Sequence, residues 1–312
     1  MSPAAGNLAY PLHREREHVD AFIPPLLNGS AEGALLLLAA LGLSLTFGQM
    51  GVINMAHGEF IMIGAFTAYL VQQVIRSSNL SIPVALPVAF VVAGLLGLLL
   101  EVGIIQWMYR RPLDTLLVTV GVSLILQQAA LQIFPSQGVP VEQPDWLDGQ
   151  VNVLGYNWPL RQVFTILLAA VCVAALATWL KYSSFGRRIR ATVHNRDLAE
   201  TAGISTRTVD RLTFFVGSGL AGVAGVAASL IGGTNSHMGV QYIIPAFLVV
   251  AAGGIGQLKG TIIAALVVGV VLSCFAYWTT GSLAQVLAFI LVIVFLQARP
   301  QGLFTVRTRS LV

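Results

Sequence analysis

Three polar side chains lie close together between two apolar runs: Asn54, His57 and Glu59, within the stretch GVINMAHGE at residues 51–59. Ionisable side chains at membrane depth are costly, and they usually face the protein interior or water. The pattern therefore predicts either an element that lines or gates a solute path, or a helix end whose side chains satisfy free backbone groups. The spacing differs from His-Glu-x-x-His, so it does not indicate a metalloprotease.

A second polar stretch, GGTNSHMGVQY, occupies residues 232–242. It is either an ordinary external loop with an interfacial tyrosine or a surface that binds a small polar solute, with five candidate side chains: Thr234, Asn235, His237, Gln241 and Tyr242. Each polar stretch precedes a short apolar run, 60–75 in one case and 242–258 in the other. Short hydrophobic segments in corresponding halves predict an internal repeat with a path near the membrane midplane.

Small residues recur at every fourth position later in the chain and predict one close-packing helix face: Gly217, Ala221, Gly225, Ser229 and Gly233. Residues 217–222 also match the glycine pattern of dinucleotide-binding turns, but no βαβ unit surrounds them, so we reject that interpretation. We expect this helix to be central in a bundle. A bulky side chain at Gly225 should then impair folding more than selectivity.

Basic residues concentrate at residues 181–211, where seven of the 17 lysines and arginines lie. Within this loop Asn195 can cap a short helix that carries Asp197 in its first turn, and Gly203 suits the C-terminal end. A plain solvated loop would not need a capped helix with an apolar surface. We therefore predict a docking helix for a cytoplasmic partner.

The elements that position these residues follow from composition. Of 312 residues, 56% are hydrophobic and only 10% are charged, whereas a soluble domain carries roughly 25% charged residues. This excludes a soluble enzyme, a nucleic-acid binder and a disordered scaffold. The apolar runs are long enough to cross a hydrocarbon core of ~30 Å. They predict an all-α, polytopic transmembrane bundle of eight or nine segments, with a turn near Tyr277, Trp278 and Gly281 dividing the last long run.

The positive-inside rule places the loop 181–211 in the cytoplasm. Alternation along the chain then places Arg110, Arg111, Lys259 and the C-terminal arginines inside, and the loop 135–161 outside. The position of the N-terminus stays open. The predicted units are a poorly ordered or interfacial tail at 1–28, a transmembrane domain at 29–306 and a cytoplasmic tail at 307–312. Neither Cys172 nor Cys274 has a partner at metal-ligand spacing, so we expect no disulfide, metal or cofactor.

Three motifs in order carry a resemblance to a known family. They are LTFGQMGVINMAHGEFIMIGA at 45–65, FGRRIRATVHNRDLAETAGI at 185–204 and ARPQGLF at 298–304. Together they resemble the branched-chain amino acid type of ABC transporter permease, and within that group the urea transporter permease subunit. The resemblance covers nearly the whole chain after about residue 26.

The resemblance implies an importer complex in the cytoplasmic (inner) membrane. Its other members would be ATP-binding cassette subunits, a second, related permease chain and an extracytoplasmic solute-binding protein, with membrane lipid around the bundle. ATP hydrolysis would belong to another chain, since the sequence has no GxxxxGK[ST] motif. Contact with the ATPase would fall in the loop 181–211, with five candidate coupling residues: Arg190, Asp197, Ala199, Glu200 and Gly203.

These features predict the permease subunit of an ATP-driven importer for urea or a short amide. One alternative is a permease for branched-chain amino acids. Alternatives of another class are a passive urea channel, a secondary transporter and a membrane enzyme using His57 and Glu59. A stand-alone channel needs no ATPase dock, and the scarcity of other ionisable groups at membrane depth argues against a proton-coupled carrier and an enzyme.

Overall fold

The structure is a computed structural model that describes residues 10–109, 111–135, 138–153 and 155–304, with side chains from residue 22 onward. In this part of the chain the helices are, in order, α1 Tyr10–Met50, α2 His57–Val74, α3 Ser78–Gly103, α4 Pro112–Ile133, α5 Leu160–Tyr182, α6 Ser184–His194, α7 Arg196–Thr201, α8 Thr206–Gly232, α9 Met238–Gly253, α10 Leu258–Trp278 and α11 Gly281–Ala298. A small antiparallel hairpin pairs β1 Gln150–Val153 with β2 Tyr156–Pro159.

Seven helices of the described chain are long and apolar enough to cross a membrane: α1 from Phe22 onward, α3, α4, α5, α8, α10 and α11. This confirms the predicted all-α polytopic class. The two remaining apolar helices, α2 with 18 residues and α9 with 16, lie among them. At 1.5 Å per residue these two extend only about 24–27 Å, less than a full hydrocarbon core. The predicted turn between α10 and α11 is present.

The loops lie at two opposite ends of the bundle. At one end Arg211 donates to the side chain of Gln106 across 3.3 Å. At the other end the backbone of Val139 pairs with that of Thr234, and Asn28 bonds to Tyr156. The loop 135–161 therefore lies opposite the basic loop 181–211, as predicted, and the positive-inside rule makes the basic end cytoplasmic.

Helix α1 corrects one expectation. Residues 10–28, predicted as a poorly ordered or interfacial tail, are helical and continuous with the first span, despite Pro24 and Pro25, so the poorly ordered alternative is wrong for them and the interfacial one stays a prediction. Prolines inside a helix remove backbone donors, but they are tolerated in transmembrane helices because neighbouring helices and side chains satisfy the freed backbone groups. Residues 1–9 and 305–312 lie outside the described residues, as does Arg110. The proposed domain boundaries at residues 28 and 306 stay predictions.

The two halves of the bundle have mirrored contacts. Helix α1 packs against α10, and its counterpart α8 packs against α3. Likewise α2 packs against α8, and α9 packs against α1. This exchange of partners between α1–α2–α3 and α8–α9–α10 is the arrangement expected of an internal repeat.

Helix α8 is the central helix that the small-residue pattern predicted, and 83% of its most apolar stretch is buried. A Cβ atom added to Gly217 would meet Thr46 and Gly42 of α1, and one added to Gly225 would overlap the Ile61 carbonyl oxygen of α2. Ala221 and Ser229 are buried on the same helix. The packing helices approach closely because these positions carry little or no side chain.

Gly233 does not belong to this face. It follows the last residue of α8 with a φ of +73°, and a Cβ atom there would have nothing within 4 Å. Its role is therefore to end the helix in a left-handed conformation that favours glycine.

Candidate functional site

The two polar stretches meet inside the bundle, where α2 and α9 begin. Gly58 of α2 lies so close to the carbonyl oxygen of Gly239 in α9 that a Cβ atom would not fit between them. The start of α2 lies at mid-membrane depth, because His57 bonds to Ala39 near the middle of the α1 span. Two short helices thus begin at a common point, and from there α2 runs outward and α9 runs toward the cytoplasmic end.

The Glu59 carboxyl group occupies this junction and is buried. Its Oε1 accepts hydrogen bonds of 2.8 Å from the Ser123 hydroxyl and from the Gln127 amide, both on α4. Its other oxygen, Oε2, has no hydrogen-bond partner among the described residues. A Cβ atom added to Gly239 would lie 2.7 Å from Oε2, so the carboxyl group packs directly over the first turn of α9.

Asn54 and His57 lie beside Glu59 and are equally buried. The Nε2 atom of His57 is 3.1 Å from the Ala39 carbonyl oxygen, whereas its Nδ1 atom has no partner in the described structure. Neither side-chain atom of Asn54 is paired within the described residues. Buried polar groups are normally hydrogen-bonded, so a cluster with several free positions marks a place where a polar guest can bind.

The structure divides the second set of predicted residues. Thr234 is buried, and its backbone pairs with Val139 of the outer loop. Asn235 accepts a bond from the backbone of His237, which is exposed just before α9. Gln241 is exposed and faces a separate cavity in the outer half of the bundle. Gln241 therefore belongs to a separate cavity, whereas His237, two residues before the Gly239 contact, lies within electrostatic range of the Glu59 carboxyl group.

Helix α4 supplies partners that the sequence interpretation missed. Its buried polar residues recur every four positions: Thr115, Thr119, Ser123 and Gln127. Much of the rest of α4 is exposed, which places this polar stripe toward the protein and the apolar residues toward lipid. Thr119 also accepts a hydrogen bond of 3.1 Å from the backbone of Met55. The four-residue spacing is visible in the sequence and would have indicated this face.

The electrostatics of the junction favour negative charge. Glu59 lies in the first turn of α2 and packs over the first turn of α9, and helix N-termini carry partial positive charge. No acid–base pair forms between His57 and Glu59 in the described contacts, since His57 bonds to a backbone carbonyl. The described residues contain no cluster of metal-ligating side chains. The arrangement is suited to binding or gating a solute.

A second candidate region lies at the cytoplasmic end. Helix α7 begins at Asn195, whose side chain accepts from the backbone of Leu198 across 2.9 Å, which confirms the predicted cap. It ends before Gly203, which has a φ of +83° and donates to the Glu200 carbonyl oxygen. Leu198 is 66% exposed on this helix. The cytoplasmic end of the bundle thus carries a capped helix with an exposed leucine.

The predicted coupling residues have different environments. Asp197, Glu200 and Gly203 are exposed, whereas Ala199 is buried. Arg190 belongs to the preceding helix α6, where it donates to the Leu180 carbonyl oxygen at the end of α5. Arg190 therefore connects the loop to the bundle. Glu200 also contacts the chain itself, because it accepts from the Thr206 hydroxyl and lies 3.8 Å from Arg196, whereas Asp197 has no such contact among the described residues.

A buried ion pair links α7 to the bundle. Arg196 donates to Asp210 at the start of α8, and Asp210 has no exposed side-chain surface. The Gln49 amide at the end of α1 donates to the other Asp210 oxygen across 2.9 Å, and the Thr213 hydroxyl donates to Gln49. None of these four residues was predicted. Arginine and aspartate within a charged loop give no local signal that they pair with each other.

Tyr109 extends this network. Its hydroxyl group donates to Glu101 across 2.6 Å, and the Arg196 guanidinium lies 5.2 Å from the centre of its ring. Burial, together with the hydrogen bond to Glu101, raises the pKa of the Tyr109 phenol above its usual range, so the group stays protonated. The network therefore holds α7 against both the end of α3 and the start of α8.

Comparison with known proteins covers most of the chain. Residues 26–296 match the family described as Branched-chain amino acid transport system / permease component. The chain is 27% identical over 296 residues to the high-affinity branched-chain amino acid transport system permease protein LivH of Salmonella typhimurium, covering 90% of this chain and 95% of the relative.

Other relatives agree. The corresponding protein BraD of Pseudomonas aeruginosa is 28% identical over 292 residues, again covering 90% of this chain and 95% of the relative. A probable branched-chain amino acid transport permease of Methanocaldococcus jannaschii is 26% identical over 288 residues, covering 89% and 90%. No solved structure matches the chain.

Proposed function

Since this chain belongs to the family of permease components of branched-chain amino acid transport systems, we propose that it carries branched-chain amino acids through the inner membrane. The chain is a multi-pass inner-membrane subunit of an ABC importer and is not itself an enzyme. The named relatives support an aliphatic amino acid as the cargo. The urea cargo implied by the sequence resemblance has less support, because these relatives are described as branched-chain amino acid permeases.

The observation that carries the proposal is the junction where α2 and α9 begin. Short helices that start at the midplane, with their N-termini facing the same point, are typical of solute sites in transporters. Around Glu59 this chain provides buried polar groups that lack partners within the described residues, including Asn54 and the Nδ1 atom of His57. Such groups are costly inside a bilayer unless water or a solute satisfies their hydrogen bonds.

Coupling to ATP hydrolysis follows from the cytoplasmic network. An ATPase subunit that docks on α7 moves Arg196, and Arg196 is bonded to Asp210. Asp210 is bonded in turn to Gln49, two residues before the break at Gly51 that leads to α2. The movement thus reaches the segment that holds Asn54, His57 and Glu59. A second permease chain and a solute-binding protein complete the proposed importer.

The test is uptake of radiolabelled leucine by cells that lack this chain and by cells in which it is restored. We expect restoration of leucine uptake, with competition by unlabelled isoleucine and valine. Unlabelled urea and acetamide are tested in parallel as competitors of leucine uptake, because they represent the alternative cargo. Restored uptake of labelled urea, unaffected by leucine, would reject the amino acid cargo and favour the urea interpretation.

A further inference from the structure

A polar cavity of about 450 Å³ lies in the outer half of the bundle, between α1, α5, α9, α10 and α11. Its volume falls within the roughly 300–1,000 Å³ of small-molecule sites. Helix α1 contributes Asn28, Glu32 and Leu36, which share one helix face at intervals of four residues. The cavity is separate from the Glu59 junction, although Gln241 and Tyr242 of the second polar stretch line it, and the family comparison does not point to it.

Glu32 is the only charged residue among those that line this cavity. Its carboxyl group has neither a hydrogen-bond partner nor an ion-pair partner among the residues that the structure describes. An isolated carboxylate in a membrane bundle is costly unless it takes up a proton or a cation pairs with it. The lining includes no lysine, arginine or histidine, so within the described cavity such a cation has to come from a ligand.

The other polar groups that line the cavity can bind the negatively charged end of a ligand. Amide and hydroxyl groups come from Gln162, Gln241, Gln285 and Tyr242. The Oε1 atom of Gln162 already accepts a bond of 2.6 Å from the Trp158 indole, which leaves the amide NH₂ group to donate. Neutral donors of this kind bind a carboxylate without neutralising Glu32. Apolar lining is also present, from Leu36, Ile231 and Leu272.

The cavity ends near the mid-membrane junction. Leu36 lies three residues, less than one helical turn, before Ala39, whose carbonyl oxygen bonds to His57. A second cavity of about 510 Å³ lies in the cytoplasmic half, between α1, α5, α6 and the start of α10, and Leu41 lines it. The two cavities are therefore separated along α1 by only the stretch from Leu36 to Leu41, about 7.5 Å of helix.

We propose that the outer cavity binds a zwitterionic aliphatic amino acid, with its ammonium group on Glu32, its carboxylate on the surrounding amides and its side chain on Leu36 and Leu272. This inference rests on the proposed function, since it describes where the same cargo first binds in the membrane domain. It adds an outer binding site, and within that site it adds Glu32 as the residue that recognises the ammonium group of the cargo.

The binding test uses a single cysteine as reporter in right-side-out membrane vesicles that carry the assembled transporter. Cys172 and Cys274 are first replaced by serine, and Gly281→Cys is introduced. Gly281 lines the cavity, and a Cβ atom there meets nothing within 4 Å, so the change is tolerated. An impermeant thiol reagent then labels it from outside. We expect leucine to slow labelling, and α-hydroxyisocaproate, which has a hydroxyl in place of the ammonium group, to leave it unchanged.

Glu32→Gln keeps the size of the side chain and removes its charge. We expect this variant to lose leucine protection and to import leucine about tenfold more slowly or worse, the effect of one lost charge-assisted hydrogen bond. The matched control, Glu142→Gln on the exposed outer loop, should behave as the parent. Two results would overturn the proposed site: no protection of the parent by leucine, or uptake by Glu32→Gln at the parental rate. If the parent still imports leucine in that case, the proposed function stands. Absence of leucine import by the parent would reject both.

Discussion

Arg196 of α7 donates a hydrogen bond of 2.5 Å to Asp210, a carboxylate at the start of α8 with no exposed side-chain surface. The same carboxylate accepts from Gln49 at the cytoplasmic end of α1. A surface helix and two central helices of the bundle therefore share one buried charge. Displacement of α7 has to move this charge or break its bonds, and the proposed coupling to an ATPase rests on this constraint.

The ion pair can be tested by a double-mutant cycle. Arg196→Gln leaves the Asp210 carboxylate buried without its cation, and we expect a loss of about 2–3 kcal/mol in stability, less than for a fully buried pair because Arg196 is 35% exposed. Asp210→Asn should cost about 1 kcal/mol. The double variant should be at least about 1 kcal/mol more stable than the sum predicts. Unfolding in detergent measures these values, with Arg207→Gln as the exposed-arginine control, and additive losses would contradict the pairing.

Docking on α7 predicts that Glu200→Arg or Gly203→Pro uncouples ATP hydrolysis from uptake. Glu200 is exposed, accepts from Thr206 and pairs with Arg196, so charge reversal alters both the surface that faces a partner and the contacts that hold α7 in place. Proline cannot adopt the φ of +83° at Gly203 or donate its hydrogen bond to Glu200. We expect at least a tenfold loss of leucine uptake, about the effect of a disrupted charged contact, with the chain still in the membrane. Asp114→Arg is the matched charge reversal at the same end, and normal uptake by both α7 variants would remove the docking role.

The mid-membrane cluster predicts loss of transport when its three side chains are truncated together. The triple variant Asn54→Ala, His57→Ala and Glu59→Ala removes the groups that are free to bind a solute and leaves Ser123 and Gln127 without their acceptor. We expect uptake to fall by about tenfold or more. Membrane abundance of the chain provides the control, and unchanged uptake would show that these residues serve only to complete a helix end.

Contact between Glu59 and α9 can be tested at Gly239. A Cβ atom there would lie 2.7–2.8 Å from the carboxyl group, so Gly239→Ala should displace Glu59 from its partners on α4. Alanine favours helix more than glycine does, so the fold should persist while uptake falls about tenfold. Val240→Ala changes the exposed neighbouring position and should leave uptake near the parental rate. Equal uptake by both variants would argue against a transport role for this contact.

Close packing of α8 predicts a folding defect for Gly225→Leu. Even a Cβ atom at Gly225 would overlap the backbone of Ile61, so α2 and α8 cannot keep their separation. We expect a destabilisation of more than about 3 kcal/mol and little mature protein in the membrane. Gly232→Leu is the control on the same helix, because a Cβ atom there has open space around it. Comparable amounts of the two variants in the membrane would exclude the close approach.

Several features of this chain can be predicted from short stretches of its sequence. The apolar runs predicted the spans because a bilayer requires each crossing segment to satisfy its own backbone hydrogen bonds. The loop 181–211 indicated the cytoplasmic side through its excess of basic residues. The caps of α7 at Asn195 and Gly203 depend on neighbours within a few positions. Such features need no knowledge of how the helices pack.

The chemistry of the interior depends on pairs that are far apart in the chain. Glu59 meets Ser123 and Gln127 across 64 and 68 positions, and Gln49 meets Asp210 across 161. The same helix packing leaves Glu32 facing a cavity and excludes Gly233 from the packed face of α8. A sequence records which polar groups enter the membrane, but their partners depend on the relative rotation and depth of the helices, which arise only when the bundle assembles.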